Sequence, residues 1–278
     1  MNTASKKNKI KGFFLNLWKY RFLLYEIVRK NVKLQYRNSV LGIFWTFLQP
    51  LMTTLVLVVV FGGIFGKSNE GIVCYPIYLL CGRLLYEFYT QSTKRAMRSI
   101  RLSASVIKKV YVPKYIYPVS NVLSNFVTFV ISLLVLVAMV LYYMLFTDVE
   151  LVITPYILLA IVPIIILLVL CTGVGLILST LSVFFKDIEY LYDVFCMLIF
   201  YATPIFYTVD ALGANKWVQM ALMANPLYSI VSMFRSCVLF GEMWNWNHFA
   251  YACVFSLVML GIGSLAFYKK QDKFILHI

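Results

Sequence analysis

Charge is scarce in this chain. Asp, Glu, Lys and Arg make up 13% of its 278 residues and hydrophobic residues 62%, against about a quarter and a half in soluble domains. That balance excludes an ordinary water-soluble domain and makes this a membrane protein. Histidine is nearly missing: His248 and His277 lie far apart, and no Cys/His ligand spacing accompanies them, which argues against a metal site or imidazole catalysis. No GxSxG nucleophile elbow occurs. The segment GGIFGKS at 62–68 imitates a phosphate-binding loop, but the motif needs Gly at position 61, which is Phe61. A nucleotide site is therefore not expected on this chain. The six cysteines form no CxxC pair and mostly fall within apolar runs, where they read as small packing residues; only Cys74 and Cys237 are placed to meet on the outer side. The opening MNTASKKNKIKGFF lacks a short apolar stretch with a cleavage site, so no cleaved signal peptide is expected.

Long apolar runs are abundant. A helix needs roughly 20 mostly apolar residues to cross about 30 Å of hydrocarbon, and six runs qualify: 40–65, 75–93, 116–146, 155–185, 190–208 and 249–268. They are continuous rather than alternating, which selects helices over a barrel. Ten Lys and Arg lie between Lys6 and Arg37 and seven between Lys94 and Lys114, whereas the opposite side carries Lys67 and Lys216, with Arg83 and Arg235 nearer the membrane. By the positive-inside rule both termini are expected in the cytoplasm. The net charge of +14 then reads as orientation charge facing anionic lipid, and no nucleic-acid partner is expected.

The expected fold is thus an all-α membrane protein of six transmembrane helices forming one domain, 1–278. Residues 12–36 combine apolar positions near helical spacing with interleaved cations and aromatics, predicting an amphipathic interfacial helix. It reads either as a membrane-surface anchor alone or as one that also meets a cytoplasmic partner. Residues 209–248 hold two apolar pieces too short to span, WVQMALMA and LYSIVSMFRSCVLF, predicting an outer re-entrant helical pair. Counting them as full spans would give eight crossings.

Charge within a span costs about 2.5–3.5 kcal/mol at mid-helix, so Arg83 and Glu87 in CGRLLYEFYTQ stand out. Four residues apart, they share a helix face and are expected to pair, serving either to orient the span or to contact substrate. Glu87 is the only carboxylate well inside a span and no internal repeat is present, which weakens ion-coupled transport. The aromatic run FYATPIFY at 200–207 suits a sugar-stacking channel or an interfacial belt; depth favours the channel for Phe200 and Tyr201 and the belt for Phe206 and Tyr207.

Four segments carry a family likeness: NSVLGIFWTFLQPLMTTLVLVVVFGGIFG, LSASVIKKVYVPKYIYP, STLSVFFKDIEYLYDVFCMLIFYATPIFY and ANPLYSIVSMFR. In this order the chain resembles the membrane subunits of ABC-2-type exporters of O-antigen, capsule and teichoic acid. The resemblance implies a homodimer in the bacterial cytoplasmic membrane, in contact with membrane lipids and joined to two ATP-binding subunits that carry ATP and Mg. Its substrate would be a lipid-linked glycan. The candidate substrate path in this reading comprises Trp45, Arg83, Tyr86, Glu87, Tyr89, Phe200, Tyr201, Phe206 and Tyr207. The resemblance also implies ATPase coupling through Val106, Ile107, Lys108, Lys109 and Val110, with Pro113 ending the coupling helix, and through Lys186 and Asp187. An ABC-2 permease for drugs or lipids, and a membrane protein with no transport role, are the rival readings.

Overall fold

A computed structural model describes residues 19–37, 39–65, 74–110, 112–147, 154–207, 220 and 222–277. Every regular element among them is helical: α1 (Arg21–Tyr36), α2 (Trp45–Phe65), α3 (Tyr75–Leu102), α4 (Ala104–Ile107), α5 (Ile116–Phe146), α6 (Ile161–Phe184), α7 (Ile188–Ala202), α8 (Pro226–Arg235) and α9 (Trp246–Lys270), with short 3₁₀ or π turns between or after several of them. By length and composition four stretches can cross a membrane: Gly42–Val60, Ile116–Phe146, Pro155–Phe184 and Trp246–Ile275. These match the first, third, fourth and sixth expected spans.

The second and fifth differ. Helix α3 runs nine residues past Thr93 to Leu102, about 42 Å in all. Its polar content keeps it out of the apolar set, yet 17 of its 28 residues are buried against other helices, so protein rather than lipid meets most of its surface. Helix α7 is 15 residues long and stops at Ala202, short of a span on its own. Thr203 takes an extended conformation, φ −100° and ψ 125°, as expected for the residue before Pro204. Of the interfacial helix expected at 12–36, the part from Arg21 onward is helical and rests on α5; residues 12–18 lie outside the described residues. So does half of WVQMALMA, and the second outer piece forms α8 plus a π turn, Ser236–Phe240.

Helix α3 is central, packing on α5 and α6, while α9 packs on α6. The α6–α9 contact is backbone to backbone: a Cβ on Gly173 would sit 2.5 Å from the Leu260 amide, and one on Gly263 would strike the Gly173 carbonyl. Small residues allow such close approach in membranes, where apolar burial alone does not drive helices together. One end of the bundle, here the basic end, is closed by a second cluster in which Ile100, Ile107, Tyr115, Ile116, Phe267 and Phe274 are buried together.

Helix α2 packs Phe47, Leu57 and Val58 on the bundle and turns a long apolar face outward. Leu51, Met52, Leu55, Val56, Val59 and Val60 are exposed. Pro50 lies inside it and has no N–H to give the carbonyl four residues earlier, that of Thr46. Ser132 Oγ on α5 donates to that carbonyl at 3.3 Å instead. All six cysteines are free thiols, Cys74 and Cys237 buried among them.

Candidate functional site: a polar stripe between α2 and α7

Residues Arg83, Tyr86, Glu87, Thr90, Gln91 and Lys94 recur at three- and four-residue steps along α3 and line one cavity of about 280 Å³. Glu87, Gln91 and Lys94 also border a larger one, about 390 Å³, whose other walls come from the C-terminal part of α1, the start of α2, and α5. The steps keep all six side chains on one face. A helix with such a face at membrane depth must turn it toward protein or water.

The expected Arg83–Glu87 pair is not formed. Glu87 Oε1 instead accepts from Gln49 Nε2 at 3.2 Å and Gln91 Nε2 at 2.8 Å, and Arg83 Nε is buried without a hydrogen-bond partner. The four-residue spacing permits the pair, but Gln91 occupies the next position on the same face and Gln49 arrives from α2. Tyr86 Oη donates to the Cys196 carbonyl of α7 at 2.7 Å, and its ring lies 5.0 Å from that of Phe200. Trp45 is half-exposed at the rim of the larger cavity. Tyr89 is a correction: its side chain is buried in the main hydrophobic cluster, away from both cavities.

Phe200, Tyr201, Phe206 and Tyr207 make one cluster of rings with centroid separations of 5.2–6.2 Å. Tyr201 is exposed, but Phe206 and Tyr207 are buried within the chain, so they do not form the surface belt that their shallow position suggested. The cause is a set of straps from α3. Tyr75 Oη donates to the Phe206 carbonyl at 2.9 Å and Tyr78 Oη to the Tyr207 carbonyl at 3.0 Å. These bonds satisfy carbonyls that the broken helix leaves open.

Arg235 completes that arrangement, and the sequence reading treated it only as outer-side charge. At 4% exposure it donates to the carbonyls of Tyr78 (3.0 Å), Pro204 (2.7 Å) and Ile205 (2.9 Å), with its guanidinium 3.5 Å from the Tyr78 ring centroid. Planar guanidinium matches several converging acceptors better than ammonium does. A lone arginine within the apolar stretch SIVSMFRSCVLF was the available signal. A Cβ on Gly82 would fall 2.5 Å from Arg235 Nη2, which accounts for glycine there.

At the basic end a ladder of ion pairs joins α3 to α7. Lys94 meets Asp193 at 2.7 Å, Arg98 meets Glu189 at 3.0 Å, and Arg101 also pairs with Glu189. The ladder brings the segment after α3 and the start of α7 to the same end. There Lys186 and Asp187 are exposed, as are Val106, Lys108, Lys109 and Val110. Ile107 is not: it is buried in the basic-end cluster. The helix holding it stops at Ile107, six residues before Pro113, so the tract does not present Val106, Ile107 and Val110 as one surface. Among the described residues no three His, Cys, Asp or Glu side chains gather in a metal-holding group.

A bundle organised around a buried polar helix, with uncovered walls on either side of its stripe, is the build of a membrane permease. The chain belongs to the ABC-2 type transporter family, whose pattern it matches over residues 23–239. Among curated proteins it is 25% identical over 258 residues to the O-antigen export system permease protein RfbA of Myxococcus xanthus, covering 93% of this chain and 96% of that protein. It is 26% identical over 255 residues to the RfbA of Klebsiella pneumoniae, covering 91% and 93%. To the polysialic acid transport protein KpsM of Escherichia coli it is 23% identical over 255 residues, covering 89% and 92%.

Proposed function

We propose that this chain is the transmembrane subunit of an ATP-driven exporter that carries a lipid-linked cell-surface polysaccharide across the bacterial cytoplasmic membrane. The observation that carries this reading is the α3 stripe: a carboxylate, an amide, a hydroxyl, a tyrosine and two cations line cavities at membrane depth in a family of transporters. Such a face suits a polyol, whose hydroxyls both donate and accept, and suits an apolar drug or lipid poorly. The export permeases similar to the chain along nearly its full length support a glycan cargo.

In this reading the chain crosses six times with both termini in the cytoplasm, α3 being the second span. Helix α7 with the strapped segment 203–207 is the fifth, and α8 belongs to an outer gate. Two copies pair through the exposed faces of α2 and α7. Each copy receives an ATP-binding subunit at the basic end, through the exposed residues Val106, Lys108, Lys109 and Val110 and through Lys186 and Asp187. ATP and Mg sit on that partner. Because α7 is tied to α3 by three ion pairs and the Tyr86 hydrogen bond, and α2 to α3 by the Gln49–Glu87 bond and apolar contact, the seam beside α2 is the one that opens to pass the glycan.

The test is reconstitution. The chain is co-purified with an ATP-binding subunit from the same cells, and ATP-dependent entry of polysaccharide into inside-out vesicles is measured. Stable association and ATP-dependent entry are expected. Failure of the subunit to bind, or entry that persists without hydrolysis, overturns the reading.

A further inference from the structure

The larger cavity contains a feature that the stripe does not explain. Asn125 on α5 lines it and is 2% exposed. Its Nδ2 donates to Ser92 Oγ at 2.9 Å and faces the Phe88 carbonyl at 3.4 Å, which fixes the amide's orientation. Its Oδ1, buried, has no hydrogen-bond partner in the protein. A buried acceptor left open is destabilising, so a donor arriving at that atom would relieve the cost. The cavity's 390 Å³ falls within the roughly 300–1,000 Å³ of ligand pockets.

We propose that this cavity is a saccharide subsite, entered from the basic end and joined to the stripe at Glu87 and Gln91. The inference rests on the exporter reading and assigns the cavity a neutral stretch of that glycan. A sugar hydroxyl donates to Asn125 Oδ1. A second donates to Glu87, whose Oε1 already takes the Gln49 and Gln91 amides and which accepts at two oxygens. The half-exposed Trp45 ring at the rim covers a sugar face.

A phospholipid fits the same space badly. Its acyl chain would desolvate Glu87 and Asn125, and its phosphate would meet the Glu87 charge. The two cations on the wall are engaged, Lys94 with Asp193 at 2.7 Å and Arg95 with the side-chain Oε1 of Gln35 at 2.9 Å.

The experiment uses the intact permease–ATPase complex in exporting cells, with a diazirine side chain at Thr128 inside the cavity or, separately, at Tyr201 in the aromatic cluster. Adducts are analysed for carbohydrate and for lipid. A glycan adduct at Thr128 is expected, and Asn125→Leu should lower it about five- to tenfold relative to the Tyr201 adduct, the worth of one hydrogen bond at a buried acceptor. If Asn125→Leu reduces folded yield, Trp45→Ala at the half-exposed rim should lower the Thr128 glycan adduct in its place. Glycan at Tyr201 but none at Thr128 overturns the subsite and leaves the exporter standing. Phospholipid alone at Thr128 also overturns it. Glycan at neither position removes the exporter reading and the subsite with it.

Discussion

The two helices that flank the α3 stripe are held in opposite ways. Helix α7 and the segment after it are fastened along their length: an ion-pair ladder at the basic end, Tyr86 at mid-height, and Tyr75, Tyr78 and Arg235 beyond the helix break. Helix α2 meets the bundle mainly through apolar packing of Phe47, Leu57 and Val58, with the Gln49–Glu87 and Ser132–Thr46 hydrogen bonds as its polar ties and a row of exposed Leu and Val facing away. Apolar contact alone holds helices together weakly in lipid, whereas hydrogen bonds and close backbone packing fasten them. The difference makes α3 and α7 one body and leaves α2 as the wall able to separate from it.

Breaking the fastened side should cost most. Arg235→Met leaves three buried carbonyls short of a charged donor, and unsatisfied buried groups of this kind cost about 1–3 kcal/mol each. The outcome expected is a loss of about 3 kcal/mol or more, read as a fall in melting temperature of the purified chain in lipid nanodiscs. Arg235→Lys should restore only part of it, since ammonium cannot fork across the same acceptors.

The same contrast recurs on a smaller scale in the coupling tract. Ile107→Asp places a carboxylate in the basic-end cluster and should destabilise by about 2–4 kcal/mol, so it reports on folding. Val106→Asp and Val110→Asp change exposed positions and should leave the melting temperature within about 0.5 kcal/mol equivalent, while weakening capture of the ATP-binding subunit in pull-down. Full capture with both exposed substitutions would remove the coupling role from this tract.

Glu189→Ala cuts two rungs of the ladder. Partly exposed ion pairs contribute about 0.2–1 kcal/mol each, so a small stability loss that shrinks further at high salt is expected in denaturant titrations. Smallest of all on stability should be Gln49→Leu, at about 0.5 kcal/mol or less, because α2 depends little on any one bond. In the proposed dimer its effect should appear instead as faster disulfide trapping between cysteines placed on α2 of the two copies.

Much of this contrast was hidden from the sequence for a physical reason. Hydropathy locates runs that lipid can touch, so the four apolar spans and the packing cysteines were readable. It does not say what covers a polar helix: 75–93 reads as a span from its apolar content, whereas the helix runs on to Leu102 and is largely covered by protein. Spacing placed Arg83 and Glu87 on one face, yet could not bring Gln49 from 38 residues away to claim the carboxylate. Tyr89 lies beside the stripe in sequence and points into the core, because adjacent helical residues face about 100° apart. Arg235 and the Lys94–Asp193 and Arg98–Glu189 rungs are long-range contacts with no local pattern at all. Ile107 was grouped with Val106 and Val110 by hydrophobicity, and only the position of Phe274 and Tyr115 separates it from them.

The most direct test of the stripe as the glycan path is export by a Gln91→Cys chain before and after reaction with a bulky maleimide. Gln91 borders both cavities, so the account predicts that full modification stops export while the ATP-binding subunit stays bound. Unchanged export by the fully modified protein would contradict it.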